Sequence, residues 1–272
     1  MPKIIPVDTL DVPDLAPYRT MRRHQAQRAD GVFVAEGPIV VRRLLESGLD
    51  VVNLLMPAGW AEQLAPLVEA RAPDAPVFVA DLAQLETLTG FTVYQGVLAL
   101  GRIPPVPSLG ELLQALPRPR FIVALDGLAN AENVGAAARN AAAFGAQALL
   151  AGETCASPWL RRSVRAAMGT LFRLPVIESA ALADHLAVLR AAGFICVAAD
   201  PHSRAAELPS VDLRGDCCLV LGAEGDGLRP AVQAACDVAA CVPMAAGVES
   251  LNVASAAAVF AYEAWRQRRP RA

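Results

Sequence analysis

Along the first hundred residues, short apolar runs recur at intervals that leave room for one helix between neighbours. Gly31 to Gly37 reads as a strand and turn, and Val51 to Met56, Val77 to Ala80 and Gly96 to Leu100 read as further strands. Pro38 to Glu46, Gly59 to Ala70 and Asp81 to Leu88 read as helices. Pro38 opens the first, Ser47-Gly48 closes it, and Asp81 caps the last. A basic helix is expected ahead of them, over Arg19 to Ala29. Strands and helices alternating at this length predict a small α/β sandwich.

From Phe121 onward the strand runs lose their polar positions. Phe121 to Leu125, Ala148 to Ala151, Leu174 to Ile177, Phe194 to Ala199, Cys218 to Leu221 and Val238 to Val242 are apolar on both faces. Helices are expected at Asn133 to Phe144, Trp159 to Met168, Leu182 to Ala192 and about Val253 to Arg269. Strands buried on both faces and alternating with helices predict a doubly wound parallel sheet. Between the two patterns, Ile103 to Gly110 and Pro117 to Pro119 are rich in proline and bracket one short helix, as a semi-rigid connector does. The expected division is therefore a small α/β domain at 1–105, a linker at 106–118 and a parallel-sheet domain at 119–272.

Composition supports a globular chain, since 54% of the 272 residues are apolar and supply ample core. The formal charge of −3 gives no bulk attraction to a polyanion. Any phosphate must meet local patches, and every basic residue except Lys3 is arginine. Arg19, Arg22, Arg23 and Arg28 form one cluster, Arg161, Arg162 and Arg165 a second, and Arg266, Arg268, Arg269 and Arg271 a third. Each cluster alone reads equally well as a solvated helix face. The six cysteines show no metal-ligand spacing, and no metal site is expected. The N-terminus lacks the order of a signal peptide and no apolar stretch is long enough to span a bilayer, so a cytoplasmic protein is expected.

Three segments in the second half combine glycines or a strand end with polar residues at strand-to-helix junctions. They are Asn133 to Arg139, Gly222 to Gly227 and Val242 to Asn252. In open α/β sheets ligands bind at the carboxyl ends of strands, so three such junctions predict one site. Asn133 stands where a helix cap is expected, and Arg139 lies one turn beyond Gly135, leaning toward an anion-attracting helix start. Gly222, Gly225 and Gly227 allow positive φ around Glu224, and Ser250 and Asn252 together can cap the last helix. Taken alone, the first segment also fits a plain capped helix with a surface arginine. The glycine turn is neither the GxGxxG of a dinucleotide site nor a phosphate-binding P-loop, which counts against a nucleotide-dependent oxidoreductase.

In order and spacing, Asn133-x-Gly135-x-x-x-Arg139, Leu221-Gly222-x-Glu224-Gly-x-Gly227 and Val242-Pro243-Met244 with Ser250-Leu251-Asn252 resemble the three motifs of the SpoU or TrmH class of SPOUT RNA 2′-O-methyltransferases. Residues 17–100, with Phe33 to Gly37 and Gln95-Gly96-Val97, resemble that class's ribosomal-protein-like substrate-binding domain. The class commonly carries an Asp-Pro-like pair just before the motif asparagine, where this chain has Asn130-Ala131-Glu132. The resemblance implies a parallel sheet whose C-terminal segment threads a trefoil knot, with S-adenosylmethionine held by backbone at Gly222, Val242 and Leu251. It implies catalytic positions at Asn133, Arg139, Glu224, Ser250 and Asn252, and a homodimer formed through the knotted domain. For the RNA, the first arginine cluster, Arg19, Arg22, Arg23 and Arg28, and Glu36 of the resembling domain are the expected contacts. Ribosomal RNA is favoured over transfer RNA, and a catalytically silent RNA-binding member of the same fold is the nearest rival. The class sets Arg139 at the attacking hydroxyl. An arginine with a pKa above ~12 costs on the order of 7 kcal/mol to deprotonate at neutral pH. Arg139 is therefore expected to bind the target phosphate and stabilise developing charge.

Overall fold

The computed structural model describes residues 3–9, 11–21, 30–201 and 205–269. The expected basic helix at Arg19 to Ala29 lies mostly outside these residues. In chain order the strands are β1 (Ile4–Pro6), β2 (Val32–Glu36), β3 (Val51–Met56), β4 (Val77–Val79), β5 (Leu98–Arg102), β6 (Phe121–Leu125), β7 (Ala148–Ala151), β8 (Val176–Glu178), β9 (Ile195–Ala199), β10 (Ala206–Glu207), β11 (Cys217–Leu221) and β12 (Val238–Cys241). The helices are α1 (Ala16–Arg19), α2 (Pro38–Leu45), α3 (Ala58–Arg71), α4 (Leu82–Thr89), α5 (Leu109–Ala115), α6 (Ala131–Ala143), α7 (Arg161–Ala166), α8 (Leu182–Ala191), α9 (Pro230–Ala234) and α10 (Val253–Arg268). They gather into two compact units. One comprises Met1–Pro105 with Trp159–Arg173, the other Val106–Pro158 with Leu174–Ala272.

The first unit holds a mixed five-stranded sheet in the order β1-β4-β3-β5-β2. β1, β4 and β3 run parallel, and β5 turns back antiparallel between β3 and β2. Every residue of β2 is buried, as its β-branched and aromatic side chains favour. Gly37 follows β2 at a φ of 94° and starts α2, whose first residue is Pro38. α4 opens with a capping box between Asp81 and Gln84 and closes on Gly90 in the left-handed region. Beneath the sheet, the buried Tyr18 hydroxyl donates to Asn53 Oδ1 at 2.6 Å. The segment Trp159–Arg173 completes this unit rather than the sheet it adjoins in sequence. Phe33 lies 5.2 Å from the Trp159 ring and 5.4 Å from the Phe172 ring, and the buried Glu36 pairs with Arg161 and Arg165.

The second unit is built on seven parallel strands in the order β10-β12-β9-β11-β6-β7-β8. The apolar runs form these strands because helices cover both faces. Leu109 and Leu112 of α5, itself opened by a Ser108–Glu111 capping box, join the core on one of them. α6 and α10 pack together, and both bury small residues: Ala137, Ala138 and Ala141 on the first, Ala254, Ala257, Ala261 and Ala264 on the second. From β6 the chain winds outward through β7 and β8. It then crosses back to β9, β11 and β12 on the other side. The winding reverses between β6 and β11, which is where open α/β sheets leave a crevice beyond the strand ends. Among the described residues no helix is long and apolar enough to cross a membrane.

Candidate active site

Two of the three glycine-bearing junctions flank that reversal. β6 and β11 are paired in register from Phe121 with Cys217 to Leu125 with Leu221, and the Asp126 amide donates to the Leu221 carbonyl at 2.8 Å. The chain after β6 leads into α6 and the chain after β11 into the Gly222 turn. Both turns therefore open on one crevice.

The first junction differs from expectation in one respect. Asn130, not Asn133, caps α6, its side chain accepting from the Glu132 amide at 2.8 Å. Ala131 and Glu132 are good helix formers and carry the helix start upstream of Asn133. Asn133 is freed for another contact and donates through Nδ2 to Glu224 Oε1 at 2.8 Å. The same Glu224 oxygen accepts from Asn252 Nδ2 at 2.5 Å, and that amide also approaches Asn133 Oδ1 at 3.4 Å. One carboxylate thus ties together all three segments. Asn252 alone caps α10, accepting from the Ala254 amide at 2.9 Å, and Ser250 is exposed rather than a second cap. Asn140 secures the two helices by donating to the Ala254 carbonyl at 2.7 Å. Arg139 is exposed on α6 and has no hydrogen-bond or ion-pair partner among the described residues.

Beside Glu224 opens a cavity of about 590 Å³ lined by Gly222, Glu224, Val242, Ser250 and Leu251, together with Ala199 at the end of β9 and Asp200 and Pro201 after it. Gly222 has no room for a side chain, since a Cβ there would lie 2.4 Å from the Gly227 carbonyl carbon. Close packing explains this glycine. Positive φ is confined to Gly227, at 67°, where Ala223 and Gly227 exchange two backbone hydrogen bonds of 3.0 Å.

Sequence reasoning missed the group that holds the turn in place. Asp126 is fully buried at the end of β6, and its Oδ2 accepts from the Arg229 amide at 2.8 Å while Oδ1 accepts from Arg229 Nε at 2.7 Å. Arg229 reaches on to Glu153 at 2.5 Å. That contact lowers the Glu153 carboxyl to about 2 and raises the Arg229 guanidinium further above its ordinary value. Asp200 was missed too, although its place just after β9 satisfies the strand-end rule.

The residues expected to meet RNA are distributed differently. Arg19 pairs with the exposed Asp11 at 3.2 Å, and Arg22, Arg23 and Arg28 lie outside the described residues. Glu36 is 1% exposed in the first unit, beneath Arg161 and Arg165. Several other arginines serve the fold. Arg266 is paired with Glu263, Arg268 donates to the Leu213 and Gly215 carbonyls, and Arg269 lies over the Trp265 ring. No group of side chains suited to a metal ion occurs among the described residues.

Comparison with known proteins agrees with this geometry. Residues 120–262 match the model of the SpoU rRNA Methylase family. An uncharacterized tRNA/rRNA methyltransferase of Mycobacterium tuberculosis is 34% identical over 94% of this chain and 90% of its own length. The 23S rRNA (guanosine-2′-O-)-methyltransferase RlmB of Ralstonia nicotianae is 34% identical over 74% of this chain and 81% of its own. Among solved structures, the AdoMet-bound rRNA methyltransferase of Sinorhizobium meliloti superposes with a TM-score of 0.82 at 26% identity, covering 97% of this chain and 98% of that one.

Proposed function

Because this chain belongs to the SpoU rRNA methylase family, we propose that it transfers a methyl group from S-adenosylmethionine to a ribose 2′-hydroxyl of RNA. The observation that carries this reading is the meeting of Asn133, Glu224 and Asn252 beside a cavity at the winding reversal. The cavity fits the donor. Its wall at Gly222 is bare backbone, Val242, Leu251 and Phe260 add apolar surface, and Asp200 and Glu224 bring carboxylates. When bound, S-adenosylmethionine supplies an electrophilic methyl on a sulfonium sulfur.

The protein's own contribution is position and charge. Asn133 and Asn252 fix the Glu224 carboxylate, which orients the ribose from one side. Ser250, exposed on the cavity lining, offers a hydroxyl to the same sugar. Arg139 carries its charge free of protein partners among the described residues, so its planar fork is available to the target phosphate and to negative charge growing on the attacking oxygen. Its high pKa makes it a poor proton acceptor.

The first unit serves RNA binding and the second methyl transfer, and the C-terminal segment threads the knot that the family resemblance implies. Ribosomal RNA is the substrate, in the cytoplasm. A homodimer forms through the second unit, and the exposed Val259 and Tyr262 on α10 are apolar surface suited to it. The test is transfer of labelled methyl from S-adenosylmethionine to purified ribosomal and transfer RNA, followed by mapping of 2′-O-methyl sites. Incorporation into ribosomal RNA at one mapped ribose is expected. Incorporation into transfer RNA alone replaces the substrate, and none into either RNA overturns the reading.

A further inference from the structure

The ionisable side chains that line the donor cavity are of one sign. Glu224, Asp226 and Glu249 line it, and among the described residues no lysine, arginine or histidine does. Glu224 is held by two neutral amides, those of Asn133 and Asn252, and none of the three carboxylates has an ion-pair partner among the described residues. A fourth carboxylate, Asp200, lines the same space and accepts from Gln233 Nε2 at 3.3 Å. The adjoining strand ends are built otherwise. Asp126 and Glu153, beyond β6 and β7, share Arg229, and none of these three side chains lines the cavity. Charge is thus matched beside the cavity and left unmatched within it. A recess lined by one sign of charge gathers ligands of the other.

Methyl transfer changes the charge of whatever occupies such a site. As the C–O bond forms at the ribose, the S–CH3 bond breaks, its electron pair stays on sulfur and the hydroxyl proton passes to solvent. A sulfonium cation gives way to a neutral thioether, while the amino-acid end keeps both of its charges. We propose that the unmatched carboxylates of this cavity select the cationic donor over its product, so that S-adenosylhomocysteine is released readily and inhibits weakly. The inference rests on the reading of this cavity as the donor site. Glu224, Asp226 and Glu249 are exposed, so water and salt screen them, and each charge contributes a few-fold in affinity rather than the larger share of a buried pair.

Calorimetry of the full chain with S-adenosylmethionine, S-adenosylhomocysteine and sinefungin tests it, the last carrying a protonated amine in place of the methylsulfonium. At about 10 mM salt, where charges act over roughly 30 Å, the two cationic ligands are expected to bind at least about fivefold tighter than S-adenosylhomocysteine. At about 1 M salt, where that range is about 3 Å, the preference should fall below about twofold. Asp226→Asn and Glu249→Gln keep size and remove charge at exposed positions. Together they should weaken both cationic ligands about fivefold at low salt and leave S-adenosylhomocysteine unchanged. Equal affinity for all three ligands at low salt, a preference that survives high salt, or one that the double variant keeps overturns the inference. Each of those results leaves the proposed function standing, since the donor still binds, whereas failure of every ligand to bind defeats the two together.

Discussion

Arg229 grips Asp126 across 103 positions of sequence, its Nε 2.7 Å from one carboxylate oxygen and its backbone amide 2.8 Å from the other. The pair joins the end of the Gly222 turn to the end of β6, so it fixes the donor side of the cavity without lining it. Asp126→Ala leaves a guanidinium without its buried partner. Because Arg229 is partly exposed and keeps Glu153, the expected cost is that of the lost hydrogen bonds, about 1–3 kcal/mol of stability, with at least a tenfold loss of S-adenosylmethionine affinity. Thermal melts and calorimetry measure both, and unaltered donor affinity would show that the turn holds its shape without the clamp.

Arg139→Ala is expected to reduce methyl transfer by more than about a hundredfold while leaving donor affinity and melting temperature near wild type, because the side chain is exposed and unpaired among the described residues. Arg139→Lys should also be poor, since an ammonium lacks the planar fork. Donor affinity falling in step with rate would move Arg139 to the donor side of the reaction.

Ser250 and Asn252 separate function from capping. Asn252→Ala removes the cap of α10 and one donor to Glu224, so it should lose about 1 kcal/mol of stability as well as activity. Ser250→Ala should lose activity with a stability change within about 0.5 kcal/mol, as ordinary surface substitutions do. A Ser250→Ala protein with wild-type single-turnover rate removes Ser250 from the reaction.

Acid should act on the Arg229 network through Glu153. Its folded carboxyl is depressed to about 2 by Arg229, against an ordinary value near 4.3. A depressed carboxyl adds stability above its unfolded value, and that stability fades as pH falls through the folded one. The gap in melting temperature between wild type and Glu153→Gln should thus be full at neutral pH, shrink below about pH 5 and close near pH 2. A gap that stays constant over this span would show that charge pairing is not what Glu153 contributes.

Cutting the chain at its proline-rich stretch should succeed only with a second change. A fragment starting at Val106 keeps Trp159–Arg173 but loses the unit in which Val164, Leu171 and Phe172 are buried. It should aggregate, whereas the same fragment with this segment replaced by a short polar linker should stay monodisperse on size exclusion and bind S-adenosylmethionine. A well-behaved unmodified fragment would show that the segment finds other cover.

Most of the strands were legible because an apolar run bounded by glycine or proline has few other uses in a globular chain. The exceptions are instructive. β1 and β10 span three and two residues, too short to carry a period, and α9 was announced only by Pro230 at its first position. The sequence reading placed the cap of α6 at Asn133 and the structure moves it to Asn130, because the helix begins upstream at Ala131. The union of Asn133, Glu224 and Asn252 was expected from motif order, yet the arrangement of their hydrogen bonds is a tertiary result. Asp126 with Arg229, and Glu36 with Arg161, were illegible because a charge pair between distant strands and loops leaves no periodic trace. Glu36, expected among the RNA-binding residues, is buried and anchored by Arg161 and Arg165.

The division of the first unit into two stretches of chain also sets a timetable. Residues 106–158 must be synthesised after β5 and before Trp159 can reach Phe33, an interval of roughly 3–11 s at 5–20 residues per second. Throughout it the nascent β2 lacks both of its ring neighbours from the returning segment, and Glu36 has no cation from α7. The ribosome therefore delivers β6 and β7 of the seven-stranded sheet before the five-stranded one, whose own strands end at Arg102, can receive its cover from Trp159–Arg173. Translation speed across that stretch becomes a determinant of yield.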